Sequence, residues 1–284
     1  MADLDLDSLV LEAGRHSRAE VGMSVLEAVT VVSNEKFSDR PRTVSKVIEA
    51  FLRAWNDALE DEQRQDLKPY IHKVINSVLT DDVEEHRAWQ ATDWLVRVQA
   101  TAWLKAAGLD ELAEAIASSE PLWGPEEARE TQKLIDIALE QVHHEATAGA
   151  DAWTEAGEEA WAKVSPKTWD SVGNGIKAAV RSATARGQVA ALAAAEATGK
   201  RYAARDAAFE TACDAAWDSA YMIAWKVAVP LGAFNTGEAT TAVRAALEPT
   251  ASSIYPLTFD LLDLMIQTRR VPDEVVRDVD RVGS

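Results

Sequence analysis

The sequence predicts an all-α protein, a multi-helix array or irregular bundle of roughly nine to twelve helices with no sheet. Three observations lead to this prediction. Alanine, the best helix former, is abundant, above all in the second half. Only 13 glycines and 9 prolines interrupt 284 residues. No segment alternates apolar and polar side chains as a half-buried strand would.

Capping signals and apolar spacing predict the helices of the first half. The stretch Ser17–Glu20 has the form of a capping box, which predicts a helix start there. Asp39–Pro41 breaks the chain, and a helix with one apolar face follows over 44–59. Acidic residues from Asp81 suit the positive end of another helix, which we expect to run to Ala107 and stop at Gly108.

The second half predicts longer helices. One begins at Pro125, and another runs over 201–229 without a break until Pro230. Because proline disrupts a helix interior, Pro249 and Pro256 predict a break between a short helix over 238–247 and a final helix over 257–268.

Composition divides the chain into three parts. We expect an acidic helical subdomain over 1–124, an Ala/Trp-rich subdomain of long helices over 125–271 packed on the first, and a charged tail over 272–284. No linker rich in Ser, Gly or Pro separates the first two parts, which argues against independent domains.

The charge balance excludes several classes of partner. Lys and Arg number 29 against 47 Asp and Glu, a formal net charge of -18. That balance disfavours direct nucleic-acid binding and docking on an anionic membrane, both of which need clustered cations. One cysteine excludes an internal disulfide, and no apolar stretch approaches the ~18 residues of a membrane span. We expect a cytoplasmic protein with no cofactor.

Tryptophan is unusually frequent, with ten residues. Trp153, Trp161 and Trp169 lie eight apart, as do Trp217 and Trp225, so each set shares a broad helical face among alanines. We expect the indoles to fill gaps between closely approaching helices. An aromatic cleft that stacks a ligand is the alternative.

One metal-ligand pattern occurs, Glu140-x-x-His143. Di-iron bundles use this spacing, but they need a second copy and two more glutamates. The sequence has no second copy, so we predict a solvated helix face and no metal site, with Glu140 and His143 as the candidate ligands.

Several short motifs resemble a group of uncharacterised proteins encoded by actinobacteria and their phages. The motifs are Gly-Met-Ser-Val-Leu-Glu-Ala at Gly22–Ala28, Ser-Asp-Arg-Pro at Ser38–Pro41 and Trp-Asn-Asp at Trp55–Asp57. Proteins of that group carry Cys where this chain has Ser24. The resemblance covers roughly residues 14–107 and more loosely the last helix at Leu257–Ile266. It implies an actinobacterial or phage origin and brings no known activity with it.

Four polar residues are the candidates for chemistry. Glu27, Asp57 and Arg97 lie among apolar residues, and His72 is a candidate general base. A charge flanked by apolar side chains is either buried and paired or exposed. We expect a Glu27–Arg97 or Asp57–Arg97 ion pair that holds helices together. A catalytic or ligand site built from these residues in a cleft between the halves is the alternative.

These observations favour a protein-interaction or scaffold protein, with a phage origin as one interpretation. Its partner is another protein, and a homo-oligomer is a further alternative. A second hypothesis is an acidic decoy, a DNA mimic that occupies a basic DNA-binding protein. The third is an enzyme or small-molecule binder, which the absence of catalytic motifs disfavours.

Overall fold

The structure, a computed structural model, describes residues 4–160, 166–200, 202–231 and 236–272. Every regular element in these ranges is helical. The only extended pairing among them is an isolated bridge between Leu11 and Met23. The all-α prediction is therefore confirmed over the described residues.

Short helices come first in the chain and long ones last. The short elements are α1 (Val25–Val32), α2 (Lys46–Ala58), α3 (Asp61–Arg64) with a 3-10 turn (Gln65–Leu67), α4 (Tyr70–Lys73), α5 (Asp81–Trp94), a π-helical segment (Leu95–Ala100), α6 (Thr101–Ala106) and α7 (Asp110–Ala117). The long helices are α8 (Pro125–Ala160), α9 (Pro166–Glu196), α10 (Ala203–Leu231) and α11 (Thr236–Gln267).

The first helix begins later than the sequence predicted. Residues 17–21 form bends and turns, and α1 begins after Ser24, whose side chain accepts a hydrogen bond from the Glu27 backbone N–H. The Glu27 side chain completes the capping box by accepting from the Ser24 backbone N–H. The Ser17–Glu20 prediction is therefore wrong, because the same pattern recurs seven residues later and that copy caps the helix.

The described chain forms two compact units, each assembled from separate stretches. The first lies within 1–92, 189–201 and 258–284, and the second within 93–188 and 202–257. The predicted boundary at residue 124 falls inside the second unit. The predicted charged tail falls almost wholly on residues 273–284, outside the described residues.

The first unit has a polar centre as well as an apolar core. Arg87 is fully buried, yet each of its nitrogens has a partner. It pairs with Glu84 at 2.9 Å and donates to the carbonyls of Ser77, Met265 and Thr268. The guanidinium thereby caps the carboxyl end of α11, where backbone carbonyls lack helical partners.

In the second unit, α8 and α10 approach each other closely at Gly149. A Cβ at this position would lie 2.7 Å from the Cβ of Trp225, so only glycine fits. Trp225 contacts Trp153, which stacks on Trp169 with ring centroids 4.0 Å apart. All three indoles are buried. They confirm the packing role expected of tryptophan, whereas Trp161 lies outside the described residues.

The break predicted at Pro249 and Pro256 is wrong, because α11 runs through both prolines. Each proline removes one backbone hydrogen bond, at a cost of about 3 kcal/mol. Buried residues nevertheless keep helical spacing across both positions, at Leu247, Ala251, Ile254 and Thr258. Burial of that stripe outweighs the local preference.

No helix among the described residues combines the length and apolar character that a membrane crossing requires.

Candidate functional site

Residues 9–16, which we call the strap, form a non-helical segment of the first unit that bends at residues 13 and 14. Their backbone groups are paired mainly with side chains. The Leu11 N–H donates to Gln65 Oε1 at 2.9 Å, and Gln65 Nε2 donates to the Leu11 carbonyl at 3.0 Å. One side-chain amide thus supplies both hydrogen bonds that a neighbouring strand would supply.

Two more side chains continue this pairing from the end of α2. Asn56 Nδ2 donates to the Glu12 carbonyl at 2.9 Å, and the Gly14 N–H donates to Asp57 Oδ1 at 2.7 Å. The Trp-Asn-Asp motif therefore holds the strap main chain.

Glu27 is the buried end of the same arrangement. Its carboxylate is fully buried and accepts hydrogen bonds from the backbone N–H groups of His16 and Ser24, at 2.7 and 2.9 Å. His16 Nδ1 lies 2.8 Å from Glu27 Oε2, and His16 Nε2 lies 3.4 Å from Glu12 Oε2. A buried charge needs such partners, and both nitrogens of this imidazole face a carboxylate.

A cavity of about 40 Å³ lies beside the strap. Ser24, Asp39, Arg53 and Asp57 are among the side chains that line it. The buried Nε of Arg53 has no hydrogen-bond partner and lies 3.6 Å from Asp39 Oδ2. Since one water needs ~10–15 Å³, this cavity suits a few waters that would satisfy that N–H, and it is too small for a substrate.

The structure brings two of the four candidate residues together, since Glu27 and Asp57 both bind the strap. His72 is exposed on α4. Arg97 lies in the second unit, on the π-helical segment, and makes a bidentate pair with Asp93 at 2.6 and 2.9 Å. The hydrogen bond to Asp93 raises the pKa of Arg97.

Arg97 also has a structural partner beyond Asp93. It donates to the carbonyls of Ala117 and Ser119 at 3.3 and 3.2 Å, which caps the end of α7. The expected pairs of Arg97 with Glu27 or Asp57 are therefore replaced, because Asp93 holds Arg97 and His16 holds Glu27.

The candidate metal ligands lie on the outer face of α8, in a shallow concavity that we call the α8 surface. It is lined by Ile137, Glu140, Gln141, His143, His144 and Thr147. Ile137 is 55 % exposed. Among the described residues, no three His, Cys, Asp or Glu side chains are grouped to hold a metal ion.

Carboxylates of α10 lie next to this surface. His143 Nδ1 lies 2.7 Å from Asp218 Oδ2. Burial raises the pKa of Asp214, and the charges of Asp218 and Glu210 raise it further, against the opposing effect of His143. The carboxylates of Glu210, Asp214 and Asp218 thus lie close enough on α10 to affect one another.

The sequence did not predict Gln65 as a functional residue. Its role depends on a backbone segment 54 residues away, and no local spacing signals that.

No protein-family model, no curated protein and no solved structure matches this chain.

Proposed function

We propose that this is a protein-interaction protein that binds a basic partner protein through the α8 surface. The observation that carries the proposal is Ile137, a large apolar side chain left half exposed on a surface whose other side chains are all polar: one carboxylate, two imidazoles, an amide and a hydroxyl. An apolar contact with a polar surround is the usual composition of a recognition surface.

Charge complementarity supports a basic partner. The chain carries a net charge of -18, and the carboxylates of Asp218 and Glu210 add to the effect of burial in raising the pKa of Asp214. A partner rich in Lys and Arg would offset this negative charge and would be steered to the surface at low salt. The narrower hypothesis, a DNA mimic, adds that this partner is a DNA-binding protein.

We also propose a cytoplasmic location and an actinobacterial or phage origin. A single cysteine suits a reducing compartment, and the motifs at Gly22–Ala28 and Trp55–Asp57 support the origin. The enzyme alternative has less support, because Glu27 and Asp57 bind backbone groups of the strap.

Capture from a lysate of the source organism tests the function. The immobilised full-length protein is compared with Ile137→Asn and with the matched control Val78→Asn, which alters a similarly exposed apolar residue of the first unit. Asparagine leaves the net charge unchanged. We expect one stoichiometric partner with wild type and with the control, and at least ten-fold less with Ile137→Asn.

Two results would contradict the proposal: no stoichiometric partner, or equal recovery on Ile137→Asn. Duplex DNA added as a competitor separates the two forms of the hypothesis. It displaces the partner from the protein only if the partner is a DNA-binding protein.

A further inference from the structure

We propose that the strap occupies a peptide-binding groove, and that the strap of a second copy can occupy the same groove in an exchanged dimer. The strap groove is formed by Glu27, Asn56, Asp57 and Gln65. This inference concerns the first unit and does not depend on the function proposed for the α8 surface.

The groove recognises main chain more than side chains. Gln65, Asn56 and Asp57 bind backbone groups of Leu11, Glu12 and Gly14. Such hydrogen bonds are available from any extended peptide, as in β-strand addition. The strap supplies specificity through buried Leu9 and Leu11 and through His16 against Glu27.

The groove side chains are held in position by their own elements. Gln65 Nε2 also donates to the Asp61 carbonyl at 2.8 Å, and Asn56 Oδ1 accepts from the Val25 N–H at 3.2 Å. Gln65 and Asn56 therefore have contacts that do not depend on the strap, and a preorganised site loses less entropy on binding.

The strap combines buried anchors with an exposed connection to the rest of the chain. Leu9 and Leu11 are buried, but Val10 is 64 % exposed, the side chain of Arg15 is 74 % exposed, and residues 17–21 after it are mostly exposed turns. An exposed connection of this kind allows the segment to open locally before the whole protein unfolds. A second copy carries an identical strap, so reciprocal exchange fills both grooves with the same contacts.

The test uses the full-length protein and a fluorescent peptide of residues 8–17. A tethered strap competes at an effective concentration of about 1 mM, so wild type should bind the peptide weakly and form dimer only near that concentration. Leu11→Asp prevents docking of the protein's own strap. We expect this variant to bind the peptide at least ten-fold more tightly than wild type and to form no exchanged dimer. Adding Gln65→Ala to Leu11→Asp should reverse the gain in peptide binding at least ten-fold.

The proposal requires two results. Leu11→Asp must bind the peptide, and wild type must show a dimer on size-exclusion chromatography after incubation at high concentration. Failure of either result overturns the proposal. If Leu11→Asp does not fold, native-state hydrogen exchange of wild type decides. The proposal then requires the Leu11, Gly14 and His16 amides to exchange faster than Val29 of α1. Equal protection would show that the strap opens only on global unfolding and would overturn the proposal.

Discussion

His16 Nδ1 lies 2.8 Å from Glu27 Oε2, and this pair joins the strap to the start of α1. The carboxylate has no access to solvent, so its charge depends on His16 and on two backbone N–H groups. The pair thus connects a motif residue of the helix to a histidine eleven positions earlier.

Glu27→Gln tests the worth of this pair. The amide places a donor against groups that donate to the carboxylate, so we expect a loss of roughly 3 kcal/mol in the free energy of unfolding. Urea denaturation measures it. Glu20→Gln, at an exposed position, is the control and should cost less than about 0.5 kcal/mol. Equal stability of the two variants would contradict the account.

Gly149→Ala tests the close approach of α8 and α10. Helix propensity alone predicts a gain of about 1 kcal/mol. The added Cβ would lie 2.7 Å from the Cβ of Trp225, so we expect a loss of about 1–3 kcal/mol instead. Thermal unfolding gives the sign. Gly173→Ala, inside α9, is the control, because its added Cβ would lie 3.7 Å from Trp153 Nε1, an ordinary contact; a stabilised Gly149→Ala would refute the packing.

His86 makes stability depend on pH. Burial lowers the pKa of His86, so the unfolded chain, with a pKa near ~6.5, binds the proton more readily. The contribution of neutral His86 to the free energy of unfolding is therefore present above that pH and is lost as the pH falls below it. We expect the urea midpoint of wild type to decrease as the pH is lowered from 7.5 to 5.5. The decrease should be smaller for His86→Gln. His72→Gln retains His86 and is the control, so its urea midpoint should decrease as much as that of wild type. An equal decrease for His86→Gln would argue against a role of His86.

Cys213 should be chemically inert in the native protein. Burial, with smaller effects from Asp214 and Glu210, raises the pKa of its thiol to about 12. Since the thiolate is the reactive form, we expect a disulfide reagent at pH 8 to react at least about 100-fold more slowly than in urea. Complete reaction of the native protein within the mixing time would contradict this expectation.

Helix positions were predictable where apolar spacing is unambiguous. The apolar face of α2 follows from burial at every third or fourth residue. The continuous helical stretch that ends before Gly108 was predicted instead from its acidic start at Asp81 and its glycine stop. The start of α1 was not predictable, because the sequence contains two capping boxes and the tertiary burial of Glu27 decides between them. The helix break predicted at Pro256 was wrong for a similar reason. The local cost of proline in the helix is outweighed by tertiary packing, which the local sequence pattern does not show.

The site was predictable in its residue types and not in its partners. Glu27 and Asp57 stand out as carboxylates near apolar residues. The pairing of Arg97 with Asp93 was readable from the four-residue helix spacing. The role of Gln65 was not, because a side-chain amide that binds backbone leaves no periodic signal.

The most direct test of the central claim, that this protein binds a partner through α8, is hydrogen exchange on the captured complex. We predict slower amide exchange in peptides that cover 137–147 of α8, with unchanged exchange over 46–58 of α2. Protection confined to other segments, or none over 137–147, would contradict the account.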